Sequence, residues 1–165
     1  MYDRILYAHD FSILSNGALR AALDLGRQLK ATVNVLHVVT PPTTIPPGLW
    51  FSVPETDVQS FEEKVRLAAA QELARQVLEV SREDDPGIHL HVALGEPAEA
   101  ILAKAREVDA GLIVMGTHGR KGWQHFMLGS VAERVVRTSP VPVLTISPQA
   151  AEVPGSVEPV KEARA

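Results

Sequence analysis

Gly111-Leu112-Ile113-Val114-Met115-Gly116-Thr117-His118-Gly119 decides how this chain folds, because a short apolar run there stops at a glycine and opens into a loop. The loop continues to Gly129-Ser130, with four glycines in the fifteen residues from Gly116, and then gives way to helical spacing from Ser130 to Arg137. A strand, a loop and a helix in that order form one step of a β-α alternation. Working outward, the same step recurs along the chain, with five short β-like runs and four helical stretches. The expectation is an α/β fold built on a parallel sheet.

Upstream, strand one reads Arg4 to His9. A helix follows from about Ser15 to Leu29, with Ala18, Leu19, Ala22, Leu23, Gly26 and Leu29 on one face. Strand two, Thr32 to Val39, is apolar almost throughout, as expected of a central strand covered by helices on both faces. Four prolines between Pro41 and Trp50 exclude a regular helix there. The next helix spans about Asp57 to Ser81, its buried side drawn through Val58, Phe61, Val65, Ala68, Ala69, Leu73, Val77 and Val80. Asp84-Asp85-Pro86-Gly87 makes a turn into Ile88 to Leu94, whose strict alternation suits an edge strand. Gly95-Glu96-Pro97 opens a third helix through Val108. Ser139-Pro140-Val141-Pro142 leads into a last strand, Val143 to Ser147. One domain is predicted over residues 1–147. The proline- and glycine-bearing stretch 148–165 has no aromatic anchor and is expected to be disordered.

Composition narrows the function. The chain has 165 residues, 45% hydrophobic and 22% charged, which is ordinary for a globular domain. It has no cysteine, so disulfides, thiolate metal sites and cysteine nucleophiles are excluded. A net charge of −4 offers no broad attraction to nucleic acid or anionic membrane, so any phosphate site must be local. No apolar run is long enough to span a bilayer, and Met1-Tyr2-Asp3-Arg4 leads into a strand rather than a signal-peptide core. The location expected is the cytoplasm.

The glycine loop has the parts of a phosphate cradle. Glycine lets backbone N–H groups approach an anion without an intervening Cβ, and the N-terminus of the following helix presents unpaired N–H groups. Arg120 and Lys121 add positive charge. Such loops also occur simply to turn the chain. Ser130 shows both readings: with Glu133 it forms a capping box, and its hydroxyl is equally placed for a phosphate. Asp10 and Ser12 likewise suit the start of helix one as caps.

At Gly116, Gly119, Gly129 and Ser130 the spacing resembles the signature of the universal stress protein family, in its ATP-binding branch. The resemblance extends from Tyr2 to about Ser147. It includes Ile5-Leu6-Tyr7-Ala8-His9-Asp10-Phe11-Ser12, Leu36-His37-Val38-Val39, Val114-Met115-Gly116-Thr117-His118-Gly119 and Pro140-Val141-Pro142-Val143-Leu144. It implies a doubly wound, Rossmann-like five-stranded parallel sheet ordered 3-2-1-4-5, with ATP or another adenine nucleotide, accompanied by Mg²⁺, across strands one, two and four. Carried over, Asp10 holds the ribose beside Ala8. Val38 meets adenine through its main chain and side chain. Met115 and Gly116 line the sugar, and Gly119, Gly129, Ser130 and Val131 contact phosphates. The chain departs from the family in reading Ala8-His9-Asp10 where proline or a small residue, then valine or threonine, commonly precedes the aspartate.

Two further readings come from other classes. One is a slow ATPase or self-phosphorylating enzyme with Ser130 or Thr117 as acceptor and Arg120 or Lys121 stabilising charge. The other is a nucleotide-free interaction protein with a structural loop. No residue stands out as a base to activate water, and no Walker lysine loop, G-x-S-x-G elbow or HExxH helix is present. His9 either reaches the phosphates or packs under strand one, packing being favoured because an isolated histidine is seldom functional by itself, and His118 and His125 are read as solvated loop residues rather than metal ligands. Trp50 and Phe51 suit either a cover over adenine or a contact with the domain's own core or a subunit interface. A homodimer is expected through Val141 to Ser147, both from the resemblance and because an edge strand invites pairing.

Overall fold

Strand β1 (Arg4–His9) alternates Ile5, Tyr7 and His9 with Leu6 and Ala8. Successive side chains leave a strand on opposite faces, so such a strand needs cover on both sides. The computed structural model, which describes residues 2–40, 55–117 and 128–147, supplies it. Ile5 and Tyr7 join Val33, Val35, Leu112 and Val114 in a core against helix α1 (Ile13–Leu29) and helix α2 (Glu55–Val80). Leu6 joins Leu36, Ile113 and Met115 in a second core against helix α3 (Pro97–Glu107) and helix α4 (Ser130–Thr138).

The strands between these layers are β1, β2 (Thr32–Val39), β3 (Ile88–Leu94), β4 (Leu112–Gly116) and β5 (Val143–Ile146). They form one parallel sheet in the order β3-β2-β1-β4-β5, which is the doubly wound order expected. β3 and β5 are its edges. Each crossover carries a helix back antiparallel to the strands, so every helix begins at the end of the sheet where the strands finish.

The bounds of β1 and β2 agree with the sequence reading. Helix α1 starts two residues earlier than its periodicity suggests, because Ser12 caps it: the Ser12 Oγ accepts the Ser15 N–H at 3.2 Å. It ends at Lys30 in the left-handed region, φ 55, whose N–H bonds the Arg27 carbonyl. Helix α4 departs from the capping-box reading. Gly129 is its cap, without a side-chain hydrogen bond, and Ser130 is already the first helical residue.

Helix α2 corrects the expected buried face. Ala69, Leu73, Gln76 and Val77 are buried, Val65 and Val80 are half-buried, and Ala68 and Phe61 are exposed, the latter by 60%. The side chain of Val58 lies outside those described. The reason is length: 26 residues make a helix about 39 Å long, while the longest strand, with 8 residues, spans about 26 Å. The first turns of α2 therefore overhang the sheet. The proline stretch 41–50, Phe51, and the segment 148–165 lie outside the described residues.

Candidate functional site

The carboxyl ends of β1, β2 and β4 meet where the strand order reverses, with β1 leading to β2 on one side and paired with β4 on the other. That is the position at which open α/β sheets hold ligands. Register sets the neighbours. Ala8 lies between Leu36 and Met115. Ala8, Val38 and Val131 are partly buried against the core that contains Met115, so four residues expected at a ligand share the α3/α4 face, with Leu128 beside them.

Val38 has a particular backbone position. The Thr32 N–H bonds Asp3 on the β1 side, and the Val33 N–H bonds Gly87 on the β3 side. Backbone groups alternate in this way, so even-numbered residues of β2 direct theirs toward β1. The β1–β2 ladder stops at His9 and His37, whereas β2–β3 continues to Val39 and Leu94. The Val38 carbonyl thus points past the end of β1.

The glycine loop leaves β4 at Gly116 and is closed at its base. The Thr117 N–H bonds the Ile146 carbonyl at 3.0 Å, and the Gly129 N–H bonds the Thr117 carbonyl at 2.8 Å. The Gly129 carbonyl then receives the Glu133 N–H at 2.8 Å. With its N–H engaged at the loop's base, Gly129 has none to offer a ligand. The N–H groups of Ser130 and Val131, in the first turn of α4, have no partner within the helix. Gly119, with His118, Arg120, Lys121 and His125, lies outside the described residues.

Asp10 follows β1 at once. Its Oδ1 accepts the Ser12 N–H at 3.0 Å and the Ser12 hydroxyl at 2.7 Å, so the carboxylate orients the residue that caps α1 rather than capping the helix itself. Between them Phe11 sits at φ 62, a left-handed conformation uncommon for an aromatic residue. Its ring stacks on His37 with centroids 3.7 Å apart. No sequence signal marks this pairing.

His9 faces away from Ala8, into the α1/α2 layer, and is 3% exposed. Its Nδ1 lies 2.6 Å from Ser15 Oγ and its Nε2 lies 2.9 Å from Gln76 Oε1. The packed role expected for it is what the geometry shows. Burial lowers its pKa below the ordinary 6.5, with Gln76 acting in the opposite direction. The chain of polar groups continues outward: Gln76 Nε2 donates to Glu72, and Arg75 beside Glu72 holds that carboxyl down to about 2. Tyr7 donates to the Ser15 carbonyl at 2.6 Å, and burial raises its pKa. His37 Nδ1 donates to the His9 carbonyl at 2.8 Å. Among the described residues no three His, Asp or Glu side chains are grouped to hold a metal, and no helix is long and apolar enough to cross a membrane.

Comparison with known proteins agrees with this architecture. The sequence profile described as "Universal stress protein family" matches residues 1–147. Universal stress protein YxiE of Bacillus subtilis is 33% identical over 153 residues, covering 88% of this chain and 99% of that one. Among solved structures, the universal stress protein UspA from Lactobacillus plantarum superposes with a TM-score of 0.72 at 25% identity, covering 88% of this chain and 97% of its own. The universal stress protein from Archaeoglobus fulgidus, solved in complex with dAMP, has the same fold, with a TM-score of 0.56 at 22% identity over 88% of this chain and 98% of that one.

Proposed function

The chain belongs to the universal stress protein family, and from that premise we propose that it is a cytoplasmic binding and signalling module that takes ATP with Mg²⁺ and changes state or partner with occupancy. The observation that carries this reading is the gathering of Ala8, Val38, Met115 and the first turn of α4 on one face, at the carboxyl ends of β1, β2 and β4.

In this reading the Val38 carbonyl accepts from the adenine amino group, and the Val38 side chain packs on the ring. Met115, Gly116 and Ala8 line the sugar, and Asp10 accepts from its hydroxyls. The N–H groups of Gly119, Ser130 and Val131 meet the phosphates. Gly129 contributes by closing the loop's base. Mg²⁺ needs oxygen ligands and keeps several waters, so it rides on the phosphates and requires no cluster of protein carboxylates. The dAMP complex of the Archaeoglobus fulgidus relative supports an adenine nucleotide as the ligand class.

Titration of the nucleotide-stripped protein with Mg·ATP in a calorimeter tests the reading, beside a Gly119→Val variant whose branched side chain obstructs the phosphates. Micromolar binding lost in the variant is the expected result; no binding to the parent at two temperatures refutes it. The second element of the proposal is a homodimer through Val141 to Ser147. It is supported by β5 lying at the sheet edge with Leu144 exposed by 43%. Light scattering that returned one subunit's mass at micromolar concentration would contradict it.

A further inference from the structure

We infer that His9 is a positioning residue for the proposed nucleotide site: its ring fixes the β1–α1 corner that carries Asp10 and ties that corner to helix α2. The inference rests on the nucleotide reading above.

The proton positions follow from the partners. Gln76 Oε1 only accepts, so His9 Nε2 carries a hydrogen and donates to it across 2.9 Å. His9 Nδ1 is then the acceptor, and the Ser15 hydroxyl donates to it across 2.6 Å. The same Ser15 oxygen accepts the Asp10 N–H at 3.3 Å, while the Tyr7 hydroxyl is committed to the Ser15 carbonyl at 2.6 Å. An unbroken path thus runs from the backbone of Asp10 through Ser15 and His9 to Gln76, Glu72 and Arg75 on α2.

A second proton on the ring undoes this arrangement. Nδ1 becomes a donor, so the Ser15 hydroxyl must reverse and turn its hydrogen to Tyr7 Oη, 2.9 Å away, and its oxygen must then serve Nδ1 and the Asp10 N–H together. The charged and titratable groups facing the ring are Asp10 after its own strand, Tyr7 below it, His37 on β2 and Glu72 on α2. Asp10 and Glu72 attract the new charge, and His37 opposes it. With its oxygen shared between two donors, Ser15 holds the Asp10 N–H less firmly, and the corner that carries the Asp10 carboxylate loosens.

The test compares Mg·ATP dissociation constants for the parent, His9→Phe and Ser15→Ala from about pH 7.5 down to about pH 4.5, because burial moves the charging of this ring below the ordinary histidine range. Titration of ATP's own phosphates is common to all three proteins, so the ratio of parent to variant isolates the protein's part. The parent should lose about tenfold more affinity in acid than either variant. By linkage, saturation with nucleotide should lower the pKa of the His9 ring, followed by its NMR resonances in the parent, by about one unit. If His9→Phe does not fold, Ser15→Ala and the ring titration still decide. Parallel acid profiles in parent and Ser15→Ala, with a His9 titration indifferent to nucleotide, overturn this inference and leave the nucleotide site standing. No binding by the parent at any pH overturns both.

Discussion

Replacing Ser12 by alanine removes two interactions and leaves the packing of the corner untouched. The Ser12 Oγ accepts the Ser15 N–H at 3.2 Å and donates to Asp10 Oδ1 at 2.7 Å. Loss of an N-cap costs about 1 kcal/mol. A hydrogen bond to a charged group is worth about 1.5–3 kcal/mol when dry, but Asp10 is half-buried and water replaces much of it, which leaves roughly 1 kcal/mol. The sum, about 2 kcal/mol, corresponds to a fall in Tm of roughly 4–8 °C for a chain of this size. Urea unfolding measures it directly: the midpoint should fall with an unchanged slope, and Ser12→Thr, which keeps both bonds, should stay within about 0.5 kcal/mol of the parent. The Ser12 N–H still holds Asp10 Oδ1 at 3.0 Å in the variant, so nucleotide affinity should weaken rather than vanish. Alanine as stable as threonine would show that the Asp10–Ser12 pair does not organise the start of α1.

Gly26→Ala tests the α1–β2 contact: a Cβ there would lie 2.7 Å from Val33 Cγ2 and 2.9 Å from Pro86 Cγ, so overpacking of about 1–3 kcal/mol outweighs the roughly 1 kcal/mol that alanine contributes to a helix. Chemical denaturation should show net destabilisation, and a more stable variant would mean that β2 and the turn before β3 yield readily. For acid, the sign follows from His9 and His91, both lowered below 6.5 chiefly by burial. The unfolded chain binds protons that the fold refuses, so stability should be full above about pH 6.5 and fall as the pH drops through the lowered values. Urea midpoints measured down to the carboxylate range should show this slope, and His9→Gln should flatten it. An unchanged slope in the variant would remove His9 from the account.

The strands were legible because their apolar runs end abruptly. Asp10 closes β1 and Thr40 follows β2, and neither run can shift register without burying a polar residue. The buried face of α2 was legible only where the sheet lies beneath it, since periodicity records which residues share a side but not where the neighbouring layer stops. Ala8, Val38 and Met115 lie 107 residues apart at the extremes of β1 and β4 pairing; strand order brings them together, and that order came from the resemblance rather than from any local signal. The packed state of His9 was readable from its place in an apolar strand. Its partners were not, because Gln76 lies 67 residues away and nothing in a helix marks one glutamine as an acceptor for a buried ring. Phe11 was hidden for a different reason: left-handed backbone is signalled by glycine, asparagine or aspartate, and a phenylalanine held there by stacking carries no such mark.

The strand order also bears on how the molecule is made. β1 emerges first from the ribosome and finds β2 soon after, but its other neighbour is β4, with Ile5 opposite Leu112. While α2, β3 and α3 are synthesised, that side of β1 waits with its ladder groups unmatched, a state open to mispairing with other chains. Closing so distant a parallel pair is slow in comparison with local helix formation. The proposed site, drawn from β1, β2 and β4, would be complete only after this late insertion, so ligand capture there would report chains that have finished folding and would stabilise them by mass action from that moment on.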